Sequence, residues 1–351
     1  MSGAHPLTPV ILLTGFLGSG KTTLLQRLLD DPSMAGAAVL INEFGEVALD
    51  HHLLDRIDDT VVLLKSGCIC CTVRGEVADA LLNLESLRAR AEIAFDRVVI
   101  ETTGLADPYP VLQTLTAHPV LRSHFAHGGV LTTVDAVNAG RQVDHRAEAV
   151  RQIAAADRIV LTKTDLAPPG TEAALRDRLG RINPTAGLVT SADPVPAILA
   201  DFGPALLPAP REGGHDAAHV CDATCNHDHG HDHGHHHHHH PGADTLGVTS
   251  FSLVIADAID WTMFGTWLTL LLHKYGDKIF RVKGILVIEG EDRPVAIHGV
   301  QHLIHAPTHL DHWPEGPRQS RLVFILEGVS PDLIRRSFAA FTGLQEVRTA
   351  A

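Results

Sequence analysis

The sequence is short of cysteine, of positive charge and of long apolar runs, and each shortage removes a class of protein. Only five cysteines occur in 351 residues, and they form two tight groups: Cys68, Cys70 and Cys71, then Cys221 and Cys225. A disulfide framework spreads its cysteines to staple separate loops, so clustering argues for metal or redox thiols instead. Lysine and arginine number 28 against 41 aspartates and glutamates, a formal net charge of -13. Nothing in that balance neutralises phosphates over a broad face, which argues against a nucleic-acid partner. The longest apolar stretch, around residues 264–272, is interrupted and too short to span a bilayer, so no membrane partner is expected. Residues 1–6 carry neither the basic nor the apolar region of a signal peptide, and a cytoplasmic location is the expectation.

What is present is an ordinary globular composition, 45% apolar and 20% charged, on a chain too long for one comfortable core. From residue 10 to about 191, short apolar runs alternate with helical patterns. The expected strands are residues 9–14, 37–41, 60–64, 97–100, 129–134, 158–161 and 187–190, with helices including 76–89 and 146–155. The runs are continuous rather than alternating, as parallel strands covered on both faces require. The expectation is an α/β fold, a doubly wound and mostly parallel sheet, over residues 1–208. Residues 209–244 are dominated by Gly, Asp and His and cannot bury a core, so they read as a flexible linker. Residues 245–351 read as a small α+β domain: strands at 247–255, 278–288, 295–305 and 321–327, helices at 261–273 and 331–341.

Gly15-Phe16-Leu17-Gly18-Ser19-Gly20-Lys21-Thr22 fits the pattern of a phosphate-binding loop and stands between a strand and a helix. Glycines at Gly15, Gly18 and Gly20 let successive N–H groups, including those of Ser19 and Thr23, converge on one anion at a helix start. Lys21 can reach the β- and γ-phosphates, and the Thr22 hydroxyl can ligate Mg²⁺. Glu101 ends a buried strand, where such folds place a second contact to Mg²⁺ or its water. Gly104, three residues on, can offer its N–H to the γ-phosphate. Thr162-Lys163-Thr164-Asp165 follows another buried strand and resembles the Asn-Lys-x-Asp pattern of guanine sites, with Thr in the first position. An Asp165 carboxylate would accept from guanine N1–H and its amine, whereas adenine offers it no such pair.

Cys68-Ile69-Cys70-Cys71 follows Gly67, whose freedom allows three thiolates to converge on one ion. Three sulfurs suit Zn²⁺ or another thiophilic cation and leave a fourth position open. Cys221 and Cys225 lead into His227, His229, His231 and His233 and then six consecutive histidines, a looser store for Zn²⁺, Ni²⁺ or Co²⁺. His118, His124 and His127 read as surface side chains rather than ligands.

These motifs, together with Asn42-Glu43-Phe44-Gly45-Glu46 and Glu101-Thr102-Thr103-Gly104-Leu105-Ala106-Asp107-Pro108, fall in the order seen in the CobW-type GTPases, which the whole chain resembles. That family is related to the hydrogenase- and urease-maturation GTPases. The resemblance implies a P-loop GTPase domain and a slow, metal-modulated GTP hydrolysis in a metallochaperone, often for zinc. It implies that residues 42–46 sense the γ-phosphate, with Glu43 and Glu46 near the metal, and that Cys68, Cys70 and Cys71 carry the cargo. A client apo-metalloprotein would dock on the C-terminal domain. Alternatives are a metal buffer with vestigial nucleotide binding, a cobalt-handling relative linked to cobalamin synthesis, and, more weakly, a small-molecule kinase.

Overall fold

The computed structural model describes residues 7–41, 73–200, 247–314 and 316–346. The expected strand at residues 60–64 lies outside them. Six strands, β1 (Thr8–Gly15), β2 (Ala37–Ile41), β3 (Arg97–Glu101), β4 (Phe125–Asp135), β5 (Arg158–Thr162) and β6 (Gly187–Thr190), form one sheet in the order β2-β3-β1-β4-β5-β6. Every neighbouring pair is parallel. The helices described between them are α1 (Lys21–Leu29), α2 (Val73–Ala89), α3 (Tyr109–Ala117), α4 (Leu121–His124), α5 (Ala139–His145), α6 (Ala147–Ala155), α7 (Thr171–Ile182) and α8 (Val195–Ile198).

Successive side chains of a strand face opposite sides, and here both sides are apolar. Val10, Leu12, Val98 and Ile100 pack with Leu81 and Leu84 of α2 and Leu112 and Leu115 of α3. Ile11, Leu13, Val99 and Leu131 pack on the other face with Leu24, Leu25 and Leu28 of α1. Burial on both faces explains why the runs show no alternation. It also aligns the carboxyl ends of β1, β3, β4 and β5 along one edge.

The C-terminal unit is an antiparallel sheet. β7 (Val248–Ile255), β8 (Ile279–Leu286), β9 (Val295–Val300), β10 (Leu303–Ile304) and β12 (Ser320–Glu327) run in the order β10-β9-β8-β12-β7, and β11 (Thr308–His309) also pairs with β9. Helices α9 (Trp261–Tyr275) and α10 (Pro331–Thr342) cover one face. Trp267 is the centre of that core: its ring meets Phe338 edge-on at 5.0 Å and its Nε1 donates to Ser337 Oγ at 3.0 Å. The single strand expected at 295–305 is instead a hairpin. Gln301 takes φ 52°, and Leu303 returns to pair with Val300. No glycine or asparagine marks that turn, so the apolar run concealed it.

The two sheets meet through β8, whose residues Ile-Phe-Arg-Val-Lys-Gly-Ile-Leu are buried throughout. Charges alternating in a strand ordinarily mark a solvated face, yet Arg281 and Lys283 face the first domain. Arg281 Nη1 donates to Ala155 O at 2.6 Å, and Nη2 pairs with Asp157, both side chains being 3% exposed. Asp157 Oδ2 also accepts from Val130 N–H at 3.0 Å and lies 3.4 Å from His127 Nε2. His127 stacks on His305 with centroids 4.6 Å apart, so it is a half-buried interface residue and not the surface histidine its sequence context predicts. Burial alone would raise the Asp157 carboxyl, but Arg281 and His127 more than offset this and hold it well below the usual range. Burial and the Arg281 charge pull Lys283 down to about 8 and His298 to about 3; burial and His127 pull His305 to about 4.

Candidate functional site

Residues 15–22 form the bend between β1 and α1. Gly15, Gly18 and Gly20 have φ of 145°, 71° and 89°, conformations that L side chains rarely adopt. At Gly15 space is short as well: a Cβ there would sit 2.2 Å from Thr133 Oγ1. Ser19 N–H donates to Phe16 O at 3.0 Å and Ser19 Oγ bonds Thr133 Oγ1 at 2.6 Å, fixing the bend to the end of β4. Lys21, the first residue of α1, is buried. Thr23 is exposed beside it.

The Thr22 hydroxyl donates to Glu101 Oε1 at 2.8 Å. Glu101 ends β3 and is fully buried. A hydroxyl that gives its proton to a carboxylate keeps its lone pairs for a cation, and two hard oxygen groups side by side suit Mg²⁺. The residues present therefore fit that ion. Beyond Glu101, Thr102 N–H donates to Leu13 O at 3.0 Å, and Gly104 lies so close to Leu17 that a Cβ would be 2.6 Å from Leu17 Cδ2. The glycine at this position is what lets the two loops touch.

The third loop follows β5. Thr162 Oγ1 donates to Ser19 O at 2.7 Å, and Lys163 Nζ donates to Gly18 O at 2.7 Å and to Asp135 Oδ2 at 2.8 Å. Thr in place of Asn thus still ties this loop to the phosphate loop, through a hydroxyl. Lys163 itself has φ 56°, an uncommon conformation held by the two contacts of its ammonium. Asp165 is exposed at the rim. Asp135, at the end of β4, accepts from Lys163, from Asn138 Nδ2 and from the N–H groups of Val137 and Asn138. Burial pushes its carboxyl up, and these bonds bring it below the ordinary range.

Gly15, Gly18, Ser19, Gly20, Lys21, Thr22, Thr23, Glu101, Gly104, Thr162, Lys163 and Asp165 therefore gather at one sheet edge. The thiol and switch residues Cys68, Cys70, Cys71, Glu43 and Glu46 lie outside the described residues, as do Cys221, Cys225, His227, His229, His231 and His233. Among the described residues, no group of three or more His, Cys, Asp or Glu side chains is placed to hold a metal ion. Asp135 was legible in principle, being an acid at the end of a buried strand like Glu101. Gln152, a buried amide on α6 that bonds the Gly104 loop, carries no motif.

Residues 9–190 match the family model described as CobW/HypB/UreG, nucleotide-binding domain. The chain belongs to the CobW family. Residues 248–342 match a second CobW model, the cobalamin synthesis protein cobW C-terminal domain. Among CobW relatives, the zinc chaperone YjiA of Escherichia coli is 36% identical over 339 residues, covering 96% of this chain and 98% of that protein. The zinc-regulated GTPase metalloprotein activator 1 of Schizosaccharomyces pombe is 35% identical over 188 residues, 52% of this chain and 45% of that protein. The crystal structure of the Zn(II)-bound YjiA GTPase from E. coli aligns with a TM-score of 0.70 at 31% identity, over 96% of this chain and 99% of that one. No helix among the described residues is long and apolar enough to cross a membrane.

Proposed function

We propose that this CobW-family protein is a GTP-hydrolysing metallochaperone that carries a thiophilic divalent ion, zinc first, to client metalloproteins. The observation that carries the nucleotide half is the joining of the base loop to the phosphate loop, Thr162 to Ser19 and Lys163 to Gly18. A ligand gripping one loop is thereby registered by the other. Full-length likeness to a protein named a zinc chaperone, and to a zinc-bound GTPase, supports the metal half.

In this reading the N–H groups of Gly18, Gly20, Lys21, Thr22 and Thr23 hold the phosphates of GTP, the Ser19 N–H being committed to Phe16 O, and Asp165 accepts from the guanine edge. Bound Mg²⁺ supplies charge neutralisation for the departing phosphoryl group. Thr22 and Glu101 would hold that ion, and Lys21 adds a positive charge where negative charge develops. Cys68, Cys70 and Cys71 bind the cargo, with Glu43 and Glu46 linking it to the nucleotide. Cys221, Cys225 and the histidines from His227 scavenge Zn²⁺, Co²⁺ or Ni²⁺. The segment 245–351 receives the client, and the work is cytoplasmic, where thiols stay reduced.

The test is Zn²⁺ affinity by competition with a chromogenic chelator, on protein lacking residues 215–240, with GDP and then with a non-hydrolysable GTP analogue. Release driven by the nucleotide requires different affinities in the two states. A tenfold difference, about 1.4 kcal/mol, is the expected result. Equal affinities would overturn nucleotide-gated delivery and leave a metal buffer.

A further inference from the structure

Gln152 is a buried polar side chain in α6, 1% exposed, with Val150, Ile153 and Ala154 buried around it. Its Nε2 donates to Gly104 O at 3.2 Å and to Ala106 O at 3.0 Å. Two carbonyls can share only a donor, so the amide NH₂ must face them. The helix is itself pinned there: Thr132 Oγ1 donates to the Gln152 carbonyl at 3.0 Å, and Thr132 lies in β4. Gln152 Oε1 finds no hydrogen-bond partner among the described residues. The amide is therefore held for its donors, although its other end goes unmatched.

The loop it grips begins at Thr102, anchored to β1 by Thr102 N–H to Leu13 O and by Thr102 Oγ1 to Thr14 Oγ1 at 2.9 Å. On one side the loop touches Leu17 of the phosphate loop through Gly104. On the other, Gln152 holds the carbonyls before and after Leu105. The Gly104 N–H shares its planar peptide with the Thr103 carbonyl, and that carbonyl accepts from Ala106 N–H at 3.1 Å, so gripping the turn at Gly104 O and Ala106 O also holds the plane in which the Gly104 N–H lies.

We propose that Gln152 is a positioning residue that orients the Gly104 peptide and so sets the preference of the site for a triphosphate over a diphosphate. The inference rests on the proposed GTP site together with the sequence expectation that the Gly104 N–H meets the γ-phosphate. GDP has nothing at that position, so a misaimed Gly104 weakens GTP alone.

The test uses the full chain with Mg²⁺ and measures displacement of a fluorescent GDP by GDP and by a non-hydrolysable GTP analogue. Gln152→Met keeps the length and loses both donors; it should weaken the analogue tenfold or more and change GDP by less than twofold. Gln152→Glu keeps the length and at most one donor, and its loss should be intermediate, at least threefold for the analogue. It carries the test if the Met variant does not fold. A merely structural role would move both nucleotides by the same factor, and that result, or no change in either, overturns the proposal. Lys21→Ala separates the two readings: if it leaves both affinities intact, the nucleotide site itself is misassigned, whereas a large loss there with neutral Gln152 variants refutes only the role of Gln152.

Discussion

Replacing Arg281 by Met should uncouple the two sheets, and the size of the effect follows from the burial of its partner. Arg281 and Asp157 are each 3% exposed, so removing the guanidinium strands a carboxylate in the interior. Breaking one side of a buried pair costs about 3–5 kcal/mol. The lower end applies, because Lys283 and His127 still lie beside Asp157 and recover part of the charge balance. About 3 kcal/mol corresponds to a fall in melting temperature of roughly 6–12 °C for a domain of this size. Calorimetry should show it, and the loss should fall first on the contact between units, splitting one transition into two. The pH dependence has a definite sign. In the native chain the depressed Asp157 pKa contributes stability above the ordinary carboxylate range, lost as pH falls through the folded value. Without Arg281, burial dominates and raises that pKa, so protonation relieves the variant and the gap to wild type narrows towards pH 4. Adding Asp157→Asn to the variant should restore most of the stability. A cost under about 1 kcal/mol, or a gap independent of pH, would refute the claim that this pair fastens the domains.

Three further outcomes follow from contacts already described. His298 and His305 have folded pKa values of about 3 and about 4, below their ordinary 6.5, so the unfolded chain takes up protons first on acidification. Stability should be fully present above pH 6.5 and fall from there to about pH 4 through His305 and about pH 3 through His298, by up to about 2 kcal/mol per ring between pH 7 and 5; denaturant midpoints at the two pH values check it, and His305→Gln should flatten the slope. Thr162→Val removes the 2.7 Å bond to Ser19 O without changing side-chain size, and a bond worth about 1 kcal/mol should weaken GDP roughly fivefold in a calorimetric titration. Gly15→Ala forces a Cβ to within 2.2 Å of Thr133 Oγ1 at a φ of 145°, and should abolish GDP binding in the same titration while circular dichroism shows the fold retained.

Much of the candidate nucleotide site could be read from the sequence because its residues are local. Gly15 to Thr22 lie on one bend, and Glu101 and Thr162 each sit where an apolar run stops, so strand ends could be read directly. Gln152 and Arg281 were not legible, because each acts on a partner far away in the chain and neither belongs to a motif. A glutamine in a helix and an arginine in a strand look solvent-facing until the packing is known. The hairpin at Gln301 failed for a different reason: its turn uses a residue with no turn preference, stabilised by the pairing of Leu303 with Val300. Thr162 is the instructive intermediate. It stands where the guanine pattern carries Asn, and its hydroxyl makes the bond to Ser19.

The strand order β2-β3-β1-β4-β5-β6 also dictates when the protein can first work as it leaves the ribosome. The phosphate loop is made before every strand that flanks β1: β1 has no neighbour until β3 arrives at Arg97, and β2 does not pair with it. The loop is then braced by Thr133 and tethered by Thr162 and Lys163, so its shape is completed only when residue 163 has emerged. A nascent chain thus displays the phosphate-binding letters long before the bend that carries them takes its final shape.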